Sequence, residues 1–202
     1  GIGEEKGMVS VIIAAHNEES VIGSCIEALR DQRTIAELQV IVSANGCNDR
    51  TAEVAAAHGA TVVDRAEPGK SGALNAADRI ATSFPRVYLD ADILVPPDAI
   101  DLIVGELAAS PSVQAVVPRR RIDTRGRPFP VRAYFAINER LPAFRDGLFG
   151  RGMITLSEAG RSRFGEFPPM IADDLFVDSL FSTEEKAEAK SVEVVVQAPY
   201  RT

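Results

Sequence analysis

Tryptophan is absent from this 202-residue chain, and histidine and cysteine occur only twice each, as His16, His58, Cys25 and Cys47. Neither pair has the spacing of a metal-ligand set, which sets aside histidine-ligated zinc chemistry. So little cysteine fits a reducing compartment rather than a disulfide-stapled secreted domain. Cys25 falls inside an apolar helical pattern and reads as a buried thiol. No apolar run approaches the ~18 residues of a membrane-spanning helix, and no secretory leader is visible. The expectation is a cytoplasmic chain, with peripheral contact at the inner face of a membrane as its widest reach. It begins without methionine and stops at Arg201 and Thr202 without a helical cap, so the expectation is a piece trimmed from something longer, truncated at the C-terminus. Positive charge is scarce as well: 22 Lys and Arg stand against 29 Asp and Glu, a formal net charge of −7. That balance argues against a nucleic-acid binder. Also missing are the glycine-rich dinucleotide fingerprint and the full GxxxxGK[ST] phosphate loop, which argues against NAD(P) and against an ATPase P-loop.

What is present is a regular alternation. Val9–Ala15 is a near-continuous apolar run, as a strand covered on both faces requires. Val21, Ile22, Cys25, Ile26 and Leu29 then recur at helical spacing. Gln39–Val42 reads as a second strand, followed by an alanine-rich helix that ends at Gly59, with Ala60–Val63 as a third strand. A turn at Pro68 and Gly69 opens a helix over 71–83, and Arg86–Leu89 is a fourth strand. Pro96 and Pro97 start a helix running to Ala108, because proline is tolerated in a first turn, and Val113–Val117 is a fifth strand. This βαβαβαβαβ rhythm predicts one α/β domain with a doubly wound, mainly parallel sheet whose ligands gather at the carboxyl ends of the strands. Beyond Val117 the rhythm breaks: a helix is expected over 131–140, a strand at Met153–Leu156, a short helical turn at Ser157–Gly160, a proline-rich loop at 164–170, a helix over 173–182 and a last strand at Val192–Val196.

Each polar motif follows a strand. Arg86–Leu94 reads RVYLDADIL, and the two carboxylates one residue apart, Asp90 and Asp92, suit a divalent ion holding a diphosphate. Alternation along a strand end points both the same way, and hard oxygen ligands match Mg²⁺ or Mn²⁺. His16, Asn17 and Glu18 follow strand one, where Glu18 is placed to receive the ribose or base of a nucleotide; a helix cap with acids in its first turn is the plainer reading. Asn45 and Gly46 open the loop after strand two, readable as a base-edge pocket or as a tight turn leading to a cap at Asn48 or Asp49. Lys70, at a helix start, balances phosphate charge. Asp173 and Asp174 read either as a helix-start pair or as the place of a general base. His58 reads as a solvent-facing residue at a helix end. Residues 119–163 hold eleven of the 22 basic residues, all arginine, against four acids. Such a segment in an acidic chain points to an anionic partner or to a solvated excursion.

Taken in order, VSVIIAAHNEE, VIVSANGCNDRT, GKSGALN, YLDAD and ADDLF resemble the inverting family 2 glycosyltransferases, which have the GT-A fold, from about Val9 to Phe181. The resemblance implies that Ala15, His16, Asn17 and Glu18 line the nucleotide site. It implies that Asp90, Ala91 and Asp92 form the metal–diphosphate motif, with Asp92 the more direct ligand and Asp90 assisting. Lys70 falls near the donor, Asn75 supports its loop, and Asp174 is the catalytic base beside Asp173. The implied cofactor is Mn²⁺ or Mg²⁺ and the implied partner a nucleoside-diphosphate sugar, while the arginine-rich segment adds the expectation of an anionic or lipid-linked acceptor. Residues 8–118 would form the donor half of the single domain and 119–202 the acceptor side. Three departures stand out: Ala44 and Asn45 replace a pair of aspartates that commonly reads uracil, which leaves the donor base open; Asp173 shortens the first acid of the usual Glu-Asp pair; and the Gln-x-x-Arg-Trp motif of processive members is absent. The rival readings are a sugar-phosphate nucleotidyltransferase and a non-catalytic nucleotide-sugar-binding module.

Overall fold

The computed structural model describes residues 7–123, 125, 152–169, 177 and 179–197. Strand β1 (Met8–Ala15) lies inside the sheet, and alternation along it sends side chains to two different cores. Val11 and Ile13 join one apolar cluster and Ile12 the other. Both faces are covered, which is why the run reads as continuously apolar. Helix α1 (Ile22–Arg30) buries Ile22, Cys25, Ile26 and Leu29 on the first face, joined there by helices α2 (Thr51–Ala57) and α4 (Ala99–Ala109). Helix α3 (Lys70–Asp78) covers the second face through Leu74 and Ala77, together with Phe167, Val177 and Phe181. Each fully buried aliphatic side chain of this kind contributes about 1.5–3 kcal/mol.

The remaining strands are β2 (Glu37–Asn45), β3 (Thr61–Arg65), β4 (Arg86–Asp90), β5 (Ile93–Leu94), β6 (Ala115–Asp123), β7 (Met153–Leu156) and β8 (Lys186–Gln197), with a short helix α5 (Glu158–Arg161) capped by the Ser157 hydroxyl. Among the described residues they form one eight-stranded sheet in the order β3-β2-β1-β4-β7-β6-β8-β5. The first four are parallel, as the alternation predicts. The fifth expected strand does not continue them. Between β4 and β6 lies β7, antiparallel to both, while β8 runs parallel to β6 and antiparallel to β5. The sheet is therefore mixed in its second half. Helix periodicity marks the helical crossovers between the parallel strands of the first half, whereas nothing in a four-residue apolar run such as Met153–Leu156 encodes its direction.

Boundaries shift elsewhere. Helix α3 ends at Asp78 rather than residue 83, and α4 starts at Ala99 after Pro96 and Pro97 have formed a turn. β8 is twelve residues long where five were expected. The expected helix over 131–140 lies outside the described residues. So does half of the one over 173–182, including Asp173 and Asp174. His58 is not simply solvent-facing: its Nδ1 lies 2.7 Å from the Glu27 carboxylate on α1, and its ring lies over Gly23.

Candidate active site

Strand order reverses between β1 and β4, since the chain runs outward from β1 to β3 and then returns to the other flank of β1. In an open α/β sheet the loops leaving the carboxyl ends at such a point diverge and leave a crevice. A cleft of about 370 Å³ lies there, lined by residues from four successive strand-end loops, among them His16 and Glu18, Asn45, Lys70, and Asp90 with Ala91 and Asp92. Seven of the residues expected at the donor site thus meet in one cavity. Ala15 does not: alternation turns its side chain into the first core, where it is buried, and Ala14 lines the cleft in its place. Asn17 stands beside the wall. Its backbone is left-handed (φ 51°), and its side-chain oxygen accepts the Asn48 amide at 2.7 Å.

That bond belongs to a set that ties the first loop to the second. The Glu18 amide donates to Thr51 Oγ1 at 2.8 Å, the Glu19 amide to Asp49, and the Arg50 amide to Glu19. The His16 ring nitrogen Nδ1 lies 2.7 Å from the Asn45 carbonyl. Asn45 is itself buried, its amide donating to the Ala15 carbonyl at 3.2 Å while its oxygen accepts the Gly69 amide at 3.2 Å. The side chain expected at a base edge therefore clamps three loops together. Gly46 makes the same junction tight: its φ is +56°, and a β-carbon there would meet Pro68 at 2.9 Å, a conformation and a closeness that only glycine accepts.

Asp90 ends β4 and Asp92 lies two residues on, both facing the cleft. The Asp90 carboxylate pairs with Lys70 Nζ at 3.1 Å. Its amide donates to the Gly152 carbonyl at 2.9 Å, and Gly152 takes φ +74° where an added methyl would collide with Ile93. Asp90 is thus fixed from behind by the antiparallel β7 side of the sheet. Burial first, and then the neighbouring Asp90 charge, pushes Asp92 up to about 6. Glu18 is pushed up to about 7 by burial, then by Asp92, Asp90 and Asp49, with His16 opposing. Among the described residues three crowded carboxylates face one lysine, and the negative charge left over there is what a divalent cation fits. Among the described residues no group of three or more His, Cys, Asp or Glu side chains is placed to hold a metal ion, so the ion would rest on the Asp90 and Asp92 pair. An open pair of carboxylates is how Mg²⁺-type ions are held when phosphate oxygens complete the shell.

Sequence reasoning missed the support beneath this cleft. Asp78, nearly buried, accepts hydrogen bonds from Tyr88 Oη at 2.8 Å and from Arg86 at 3.0 Å, and pairs with Arg161 at 2.8 Å. Arg161 goes on to the Phe164 and Gly165 carbonyls and stacks on the Phe164 ring at 4.3 Å. An acid on the apolar stripe of Leu74 and Ala77 was the available signal. The arginine-rich segment also reads differently. Arg161 and Arg163 serve internal contacts to Asp78 and Glu185, Arg119 and Arg121 both reach Glu193, and Arg125 pairs with Asp123. The arginines between 126 and 151 lie outside the described residues.

The architecture is shared with solved enzymes. Glucosyl-3-phosphoglycerate synthase from Mycobacterium tuberculosis, in complex with Mn²⁺, UDP and glucosyl-3-phosphoglycerate, superposes with a TM-score of 0.67 at 23% identity, covering 97% of this chain and 72% of that one. The same enzyme with Mg²⁺ and UDP gives 0.66 at 22% identity, over 97% of this chain and 72% of that one. At that identity the likeness establishes the fold, a GT-A glycosyltransferase fold. Residues 10–160 match the profile of glycosyl transferase family 2, and the chain belongs to that family. Among curated relatives, chondroitin synthase of Escherichia coli is 30% identical over 125 residues, 59% of this chain and 18% of the relative. The 4,4'-diaponeurosporenoate glycosyltransferase of Staphylococcus aureus is 32% identical over 105 residues, 48% of this chain and 28% of the relative. The matched stretch spans less than a third of either relative's length. Among the described residues no helix is long and apolar enough to cross a membrane.

Proposed function

We propose that this domain transfers a sugar from a nucleoside-diphosphate sugar to an acceptor hydroxyl with inversion at the anomeric carbon, aided by Mn²⁺ or Mg²⁺. The observation that carries the reading is the convergence of Glu18, Lys70, Asp90 and Asp92 from three separate loops in one cleft at the switch point. Asp92 and Asp90 would hold the ion, which when bound supplies Lewis-acid stabilisation of the diphosphate. Lys70, at the N-terminus of α3, adds positive charge where phosphate oxygens gather, and its ion pair with Asp90 keeps the two groups in register. Glu18 and the His16 loop receive the nucleoside. The general base is Asp174, assigned by resemblance. It takes the acceptor proton while the hydroxyl attacks from the face opposite the departing diphosphate, an assistance typically worth ~10²–10⁴-fold. The acceptor is anionic or lipid-linked, a reading supported by the arginines at 126–151, with residues 119–202 forming the acceptor side.

Calorimetric titration of a panel of nucleoside diphosphates and nucleotide sugars, with Mn²⁺ and with chelator, tests the donor site. Binding that needs the metal and disappears in Asp92→Ala is the expected result, and it also names the base. No binding across the panel removes the reading. Turnover on Asp174→Asn tests the base: donor affinity is retained and transfer falls at least a hundredfold, whereas near-normal transfer dismisses the assignment. Release of pyrophosphate would mark a nucleotidyltransferase, and metal-dependent binding without turnover a non-catalytic module. Equal kinetics with neutral and anionic acceptors would count against the anionic acceptor.

A further inference from the structure

Helix α3 begins at the donor and carries on to something else. Lys70, its first residue, pairs with Asp90. Ser71, Asn75, Asp78 and Arg79, spaced at i, i+4, i+7 and i+8, share one side of a helix, and all four reach the segment 161–168. Ser71 Oγ donates to the Pro168 carbonyl at 2.6 Å. Asn75 grips Phe167 at two points: its amide nitrogen donates to the Phe167 carbonyl at 3.1 Å, and its oxygen accepts the Phe167 amide at 2.7 Å. Asp78 holds Arg161, and Arg79 pairs with Glu166 at 2.7 Å.

The gripped segment matters because of where it leads. Phe167 precedes Asp174 by seven residues, and Val177 follows Asp174 by three. Both flanks are seated at one place. Phe167 and Val177 line a small cavity with Leu74 of α3, and that cavity is bounded by Lys70 and Asp90 as well. Phe167 is buried and its ring packs edge-on against Tyr88 at 5.4 Å. A paired side-chain amide against a backbone amide is a stiff connection, because losing it strands a buried N–H and C=O. A two-turn helix has no internal hinge, so the distance from Lys70 to Asn75 is fixed.

We infer that α3 is a spacer that registers the chain at Phe167 and Val177, on either side of the residue assigned as the base, against the donor cleft, with Asn75 as its positioning residue. Asn75 touches neither donor nor acceptor in this role. It acts by holding Phe167. The inference rests on the transferase reading above, and the following experiment separates the two.

Hydrogen exchange by mass spectrometry is measured on wild type, Asn75→Ala and the milder Ser71→Ala, alongside calorimetric titration of Mn²⁺ with whichever nucleoside diphosphate binds wild type, and steady-state transfer with the matching nucleotide sugar. In Asn75→Ala, peptides spanning 164–177 are expected to exchange at least tenfold faster, while those covering β1 and β4 are unchanged. Diphosphate affinity stays within twofold and kcat falls at least tenfold. Ser71→Ala moves the same readouts in the same direction by a smaller factor. Unchanged exchange at 164–177 overturns the inference. So does faster exchange with normal kcat, which makes the clamp structural only, and so does a proportional loss of diphosphate affinity and kcat, which moves Asn75 into the donor site. A wild type that binds no nucleotide sugar defeats the transferase reading itself, and the spacer with it.

Discussion

Glu18 is the residue at which the crowding of the cleft works against stability. Its carboxyl, ordinarily near 4.5, is held up at about 7, because burial and the negative charge of Asp92, Asp90 and Asp49 disfavour its ionised form. Between those two values the folded, metal-free protein retains a proton that the unfolded chain has released. Stability must therefore fall as pH rises through that window. In chelator, the melting temperature is expected to drop between pH 5 and pH 8, and Glu18→Gln is expected to flatten that slope. A melting temperature that holds steady or climbs over the range would show that the carboxylates are not crowded in solution. The same residue marks how far reading types and spacing reaches. Glu18, Asp90 and Asp92 were legible as candidates because strand-end acids are conspicuous. That Asn45 turns inward, and Ala14 rather than Ala15 outward, was not legible: the first depends on which backbone groups of Ala15 and Gly69 lie within reach, the second on the pleat of β1.

At the scale of the element, α3 joins what its sequence shows and what it hides. Lys70 at its start announced an anion site, and the structure buries Ala73, Leu74 and Ala77 along one side. Asp78 was invisible as a structural centre because its partners, Arg86 and Arg161, come from β4 and α5, and no local pattern links them. The side chain of Asp78 is only 6% exposed, with Arg86 at 13% and Arg161 at 15%. Removing one partner of such a cluster leaves the others charged and unpaired, so Asp78→Ala should cost about 3–5 kcal/mol. Tyr88→Phe deletes one hydrogen bond and leaves the ion pairs, and should cost about 1 kcal/mol. Urea unfolding monitored by circular dichroism measures both. Equal costs for the two variants would mean that the arginines are satisfied elsewhere and that Asp78 is not the hub.

For the whole molecule, the parallel half of the sheet was foreseeable because each βα unit carries its own periodicity. The mixed half depends on β7 entering between β4 and β6 after a long excursion, and pairing across that distance leaves no short-range trace. The join between the halves is where the site was built. The amide of Asp90, on the parallel side, bonds the Gly152 carbonyl next to β7. Asp78 on α3 bonds Arg161 beyond β7, and α3 grips Phe167. Two halves tied at Asp90 and along α3 should unfold together, and a ligand bound to one should stabilise both. With Mn²⁺ and a nucleoside diphosphate at about 100 times their dissociation constant, the gain is ~2.7 kcal/mol, or roughly 5–10 °C in melting temperature for a chain of this length. Calorimetric scanning should show one transition that moves as a unit, and Asp92→Ala should not move. A scan that splits, with one part shifting and the other fixed, would place the boundary between independent units at the β4–β7 seam and remove the mechanical link between the two halves of the sheet.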